Sequence, residues 1–143
     1  MSGSESRENW SPASMPVSIA PFWVEGEGFR LGLDLGRSPF VGLVGTETWA
    51  IELTHAELVQ FGQLAGQLAE TMAGMAAEVM EGEQLSVELE AGDLWMEVEG
   101  YPREFCLRFI LQSGRGVEGE WGTEGTRGLL GAIDRLRKQL AEG

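Results

Sequence analysis

The side chains of this chain that could do chemistry are one histidine, one cysteine and a closely spaced series of glutamates. A zinc site built from His and Cys needs about four ligands, which His55 and Cys106 cannot supply, and no calcium-binding loop of the D-x-[DN]-x-[DN]-G type occurs. Cys106 has no neighbouring base in the sequence to activate a thiolate. His55 likewise lacks a second titrating group nearby. We therefore expect no catalytic residue, no metal and no cofactor, and hence a non-enzymatic protein.

The glutamates occupy alternate positions in segments that have the period of β-strands. Because a strand places alternate side chains on opposite faces, the second half of the chain should form a sheet with one apolar and one acidic face. The outward face is predicted to carry Glu88, Glu90, Trp95, Glu97, Glu99, Arg108, Glu118 and Glu120. Arg115 is a further candidate cation for this face.

Two interpretations of the outward face are open. Charged outward residues keep a half-buried sheet solvated and discourage association through its edges. Alternatively, the face docks a basic partner by electrostatic complementarity. Trp95 would then be a favoured contact residue, unless a loop or the N-terminal segment covers its indole. Under either interpretation, Arg108 should lie between the strands of Glu97 and Glu118 and relieve their repulsion.

The segment from Gly114 to Gly119, "GRGVEG", matches the G-x-G-x-x-G pattern of dinucleotide-binding folds. Those folds need the pattern at the start of a helix that follows a parallel strand. Here it runs into "VEGEW", which alternates like a strand. The sequence therefore predicts a glycine-rich hairpin and no nucleotide site.

The elements that must position these residues follow from changes of period along the chain. Three strands are predicted first, in "FRLGLDLG", "FVGLVG" and "WAIEL". Thr54 and Glu57 have the spacing of a capping box, which opens a helix expected from His55 to Glu81 with Gly82 as its left-handed C-terminal residue. Four strands and a helix from about Thr123 follow. The fold class is α+β, with antiparallel sheets each followed by a helix in the order of about β3-α-β4-α.

Three glycines interrupt the long helix at Gly62, Gly66 and Gly74, and each costs about 1 kcal/mol relative to alanine. Either a second helix or the sheet lies close against them, or a GC-rich genome has enriched the segment in glycine and alanine. Glycine inside a helix usually has a packing reason, which favours close packing.

The chain is strongly acidic, with 23 Asp and Glu against 10 Lys and Arg and a formal net charge of -13. Such a field repels nucleic-acid phosphate and anionic membranes and attracts basic proteins. A single cysteine excludes an internal disulfide, and no apolar run is long enough to span a membrane. We expect a disordered Ser/Pro-rich tail over residues 1–21 and one domain over residues 22–143. The expected location is the cytoplasm, with a monomer and a dimer both open.

Several segments resemble a cyanobacterial family of unknown function over about residues 26–140. They are "GFRLG" through "VGTETWAIELTHAEL", "LSVELEAGDLWMEVEGYPREFCLRFIL" and "GRGVEGEW". The resemblance implies a whirly-like fold, which is shared with transcriptional cofactors that bind single-stranded DNA on a curved antiparallel sheet. It therefore implies an alternative function, that of a single-stranded nucleic-acid-binding transcriptional regulator.

The residues themselves bear on that alternative. Recognition of a single strand needs a positive groove with aromatic stacking platforms, whereas the outward face here is acidic and Trp95 is its lone aromatic residue. We therefore place an interaction or regulatory protein that docks a partner first. Nucleic-acid binding comes second and an enzyme of unknown type third.

Overall fold

The structure is a computed structural model that describes residues 21–78 and 82–142. Apart from Pro21, the predicted tail over residues 1–21 lies outside this range. The first sheet is antiparallel with its strands in chain order: β1 (Phe22–Gly26), β2 (Phe29–Leu33), β3 (Gly42–Gly45) and β4 (Ala50–Leu53). Helix α1 (His55–Met75) follows. The second sheet, also antiparallel and in chain order, precedes helix α2 (Thr123–Glu142) and contains β5 (Leu85–Ala91), β6 (Leu94–Tyr101), β7 (Glu104–Leu111) and β8 (Val117–Trp121).

The α+β class and the sheet-then-helix order are as predicted, but the first sheet has four strands where about three were expected. The additional strand, β1, has only Phe22 fully buried and no alternation of buried and exposed residues, so it lacks the pattern that identified the other strands. Its formation depends on pairing with β2, in the register Phe22 to Leu33 through Gly26 to Phe29. Gly28 in the connecting turn has a φ of +82°, a backbone conformation that favours glycine.

Helix α1 begins at the predicted residue. The backbone N–H of Glu57 donates to the Thr54 hydroxyl at 3.2 Å, and the backbone N–H of Thr54 donates to the Glu57 carboxylate at 2.9 Å. These two bonds are the reciprocal contacts of a capping box.

The end of α1 was predicted wrongly, since the helix stops at Met75 rather than Glu81. Its 21 residues span about 31 Å. Met72 is the last fully buried residue, and without further packing the helix has little reason to continue. Gly82 does have a positive φ of 89°, but it lies in the turn before β5 and does not close the helix.

The glycines of α1 divide into two groups. A Cβ at Gly62 would touch Ile133 and Arg137 of α2, and a Cβ at Gly66 would collide with the Arg137 guanidinium. A Cβ at Gly74 would meet nothing within 4 Å. Helix α2 therefore lies beside the first two glycines, but the contact at Gly62 is of ordinary van der Waals length and the one at Gly66 is with the end of a flexible side chain, so packing does not require glycine at either position. No contact accounts for the third.

The core lies between the sheets and the helices, with α1 packed on β5 and β6 and α2 packed on β7 and β2. Its centre is an aromatic cluster around the fully buried Trp121, whose ring lies 5.0 Å from Trp49, 5.7 Å from Phe109 and 5.8 Å from Phe61 between centroids. The indole N–H of Trp121 donates to the Gly45 carbonyl oxygen at 2.9 Å. This bond joins the last strand of the second sheet to β3 of the first.

Candidate functional site: the acidic face of the second sheet

Strand register places all eight predicted residues on one face of the second sheet, which we call the acidic face. Residues directly opposite one another form three rows across the strands. The rows are Ser86, Glu99 and Cys106; Glu88, Glu97, Arg108 and Glu120; and Glu90, Trp95, Ile110 and Glu118. As expected, Arg108 lies between the strand of Glu97 and the strand of Glu118 and Glu120.

Trp95 is held in place by its neighbours on the acidic face. Its indole N–H donates to the Glu88 carboxylate, and the Arg108 guanidinium lies 4.9 Å from the ring centroid. Arg108 also pairs with Glu97 at 3.1 Å, and the Ser86 hydroxyl donates to Glu97 at 2.8 Å. The indole is therefore half-buried, and the Arg108 side chain on the neighbouring strand lies over its ring.

The acidic face has little compensation for its charge, because its six glutamates are opposed by one arginine. Glu88 and Glu97 lie directly opposite one another, an arrangement of like charges that destabilises a strand pair. The side chains of four others are exposed and make no hydrogen bond or ion pair with the described part of the chain: Glu90, Glu99, Glu118 and Glu120.

Tyr101 extends the acidic face at the end of β6 and was missed in the sequence. Its side chain is 44% exposed, one of the two large apolar residues that stand out from the described surface. The signal was present, because Tyr101 continues the alternation of Trp95, Glu97 and Glu99.

The groups that were considered for chemistry lie apart. Partial burial, and then the charges of Glu120 and Glu99, raise the pKa of the Cys106 thiol, which disfavours the thiolate. His55 is exposed at the first residue of α1. Within residues 21–78 and 82–142, no group of three or more His, Cys, Asp or Glu side chains is placed to hold a metal ion.

Arg115 does not lie on the acidic face, contrary to the sequence-based prediction. It belongs to the loop before β8, and there it donates to the Glu52 carbonyl oxygen at 2.7 Å and pairs with Glu57. Its guanidinium also lies 4.9 Å from the Phe40 ring centroid. The residue therefore ties the β7–β8 loop to the start of α1, a contact across 58 residues that no local pattern could reveal.

The G-x-G-x-x-G segment has the predicted structure. It forms a turn in which Gly116 has a φ of +57° and then enters β8, with no helix at its end. The backbone geometry of a dinucleotide site is therefore absent from this segment.

An apolar groove of about 360 Å³ lies between α1 and α2, and it was not predicted from the sequence. None of the helices in the described ranges combines the length and apolar character needed to cross a bilayer.

Comparison with known proteins places these features in a family. No curated protein matches the chain. The chain is similar to the crystal structure of a protein of unknown function, described as from the DUF155 family, from Prochlorococcus sp. NATL2A. The two share 28% identity and a TM-score of 0.76, over 80% of this chain and 98% of that one. A domain of unknown function, DUF1818, matches residues 24–136, well over half of the chain. The chain therefore belongs to the DUF1818 family.

Proposed function

We propose that the protein is a non-enzymatic interaction protein that docks a basic protein partner on its acidic face. The observation that supports this most directly is the fixed position of Trp95 among glutamates, between Glu88 and Arg108. Tryptophan is among the residues that contribute most to contact energy in interfaces. An indole that is already held in one orientation loses little conformational entropy on binding. Solvation of the sheet needs the glutamates but has no use for the indole.

The charge of the acidic face suits the same function. Six glutamates against one arginine, in a chain with a net charge of -13, would attract a basic partner at long range. Such steering raises the association rate and makes it sensitive to salt. Cys106 is a free thiol, as is usual in a reducing compartment, and we propose that the protein meets its partner in the cytoplasm.

We further propose that the architecture is whirly-like, because each of two four-stranded antiparallel sheets is followed by a helix. In the transcriptional cofactors that have the whirly fold, a sheet surface carries single-stranded DNA. The glutamates of this sheet would repel phosphate, so we propose a sheet-surface interaction with a partner of the opposite charge.

The test is affinity capture from a cyanobacterial lysate with a variant that removes charge and disturbs no contact. Glu90→Gln, Glu99→Gln and Glu118→Gln combined remove three exposed carboxylates that make no side-chain hydrogen bond or ion pair in the described structure. The matched control changes three exposed glutamates elsewhere, namely Glu27, Glu70 and Glu78, and alters the net charge equally.

We expect the parent and the control to retain the same basic proteins at low salt, and the acidic-face variant to lose them. High salt should release them from the parent and from the control. If the acidic-face variant retains everything that the control retains, the glutamates serve solvation alone and the proposal fails.

A further inference from the structure

The apolar groove lies between the N-terminal half of α1 and the C-terminal half of α2, over strand β2. Leu31 and Leu33 of β2 line it together with Leu58, Phe61, Ile133 and Leu136 of the two helices. All six of these side chains are at least 93% buried, so they are fixed by the core on their other sides. The groove is therefore part of the folded architecture and does not depend on a loop.

The ionisable groups along the groove are all basic. Among its lining residues only His55 and Arg137 can carry charge, although the chain has 23 carboxylate residues. Arg137 has no carboxylate within ion-pair distance in the described structure, whereas Lys138 beside it pairs with Asp134 at 3.2 Å. A guanidinium left without a carboxylate in so acidic a protein is available to an anion from outside.

Arg137 places its positive charge beside the groove. Its side chain passes Gly62 and its guanidinium reaches Gly66, where a Cβ would collide with it. The α1 residues that line the groove run from His55 to Gln63, a distance of about 12 Å along the helix. This length is comparable with that of an extended medium-chain acyl group.

We propose that the groove binds an amphipathic monocarboxylate, with its acyl chain along the leucines and Phe61 and its carboxylate on Arg137. The volume of about 360 Å³ falls in the range of small-molecule sites, roughly 300–1,000 Å³. A guanidinium binds a carboxylate through charge-assisted hydrogen bonds, and the apolar walls favour an aliphatic chain. This site is distinct from the acidic face, so either can be correct without the other.

Isothermal titration with decanoate tests the proposal, with decanol as the uncharged probe of the same chain length. We expect decanoate to bind the parent more tightly than decanol. Arg137→Gln should weaken decanoate by about tenfold and leave decanol unchanged, since one charge-assisted contact is lost. Arg135→Gln, on the same helix but outside the groove lining, is the matched control and should change neither.

A second variant tests the groove itself without risk to the core. Val59 lines the groove and is 41% exposed, so Val59→Glu should fold and should repel decanoate from a site that now carries a carboxylate. Decanoate that fails to bind the parent at 1 mM, or that binds Val59→Glu and Arg137→Gln as well as the parent, would overturn the proposal. So would a dimer in sedimentation velocity that Val59→Glu dissociates, because the groove would then be occupied by a second copy of the chain.

Discussion

Trp121 and Trp95 lie on opposite faces of the same sheet, and the two faces hold an indole in different ways. Trp121 is completely buried and stacked on Phe109, and its N–H donates to a backbone carbonyl of the other sheet. Trp95 is half-buried, and its N–H and its ring both contact charged side chains. The inner indole therefore stabilises the fold through packing. The outer one is fixed by contacts that water and salt weaken, so it adds little stability and stays accessible to a partner.

The largest expected effect comes from truncating each indole in turn. Trp121→Ala should reduce the free energy of unfolding by about 3–5 kcal/mol, because it leaves a cavity between the sheets and an unpaired Gly45 carbonyl. Trp95→Ala should cost about 1 kcal/mol or less, since its contacts are exposed to solvent. Urea denaturation measures both. Equal losses for the two variants would contradict the division between a structural and an available indole.

Removing the N-cap of α1 tests the stability of the core around Trp121, because α1 contains Phe61, which packs against that indole. Thr54→Ala should cost about 1 kcal/mol, because the Glu57 N–H loses its acceptor at the first turn. Thr71→Ala makes the same chemical change at an exposed position within the helix and should not destabilise the protein. Thermal melts of the two variants should therefore differ, and coincident melts would show that the capping box does not stabilise α1.

The smallest expected effect concerns Cys106, which lies on the acidic face beside Glu99. Burial and the charges of Glu120 and Glu99 raise its thiol pKa, so at pH 7–8 less thiolate is present and alkylation by iodoacetamide should be slower than for a free cysteine. Glu99→Gln combined with Glu120→Gln should lower the pKa and speed the reaction at fixed pH, while Glu70→Gln with Glu78→Gln should not. An unchanged rate in the first pair would mean that the acidic face exerts no measurable field at the thiol.

The acidic face could be predicted because it depends on neighbours in sequence. Once β5 to β8 alternate, the positions of Glu88, Trp95 and Arg108 on one side follow from the geometry of a strand, and the short turns fix the pairing. The Gly92-Asp93 turn is an example, since it joins Ala91 directly to Leu94 across the hairpin.

The groove and the Arg115 contacts could not be predicted, since they join residues far apart in the chain. The groove requires Leu31, Phe61 and Arg137 to meet, and these come from a strand and two helices. The early end of α1 has the same origin, because the helical period of the sequence continues past the last residue that the core buries. Strand β1 likewise exists through its partner, β2.

The most direct test of the central claim, that the acidic face around Trp95 is the docking surface, compares the two indole N–H signals in one NMR titration. A basic protein retained by affinity capture is added to the ¹⁵N-labelled protein. The Trp95 signal should shift on binding, because its hydrogen bond to Glu88 lies in the contact surface, while the Trp121 signal, bonded to Gly45 inside the core, should stay in place. Saturated binding that leaves the Trp95 signal unmoved would contradict the account.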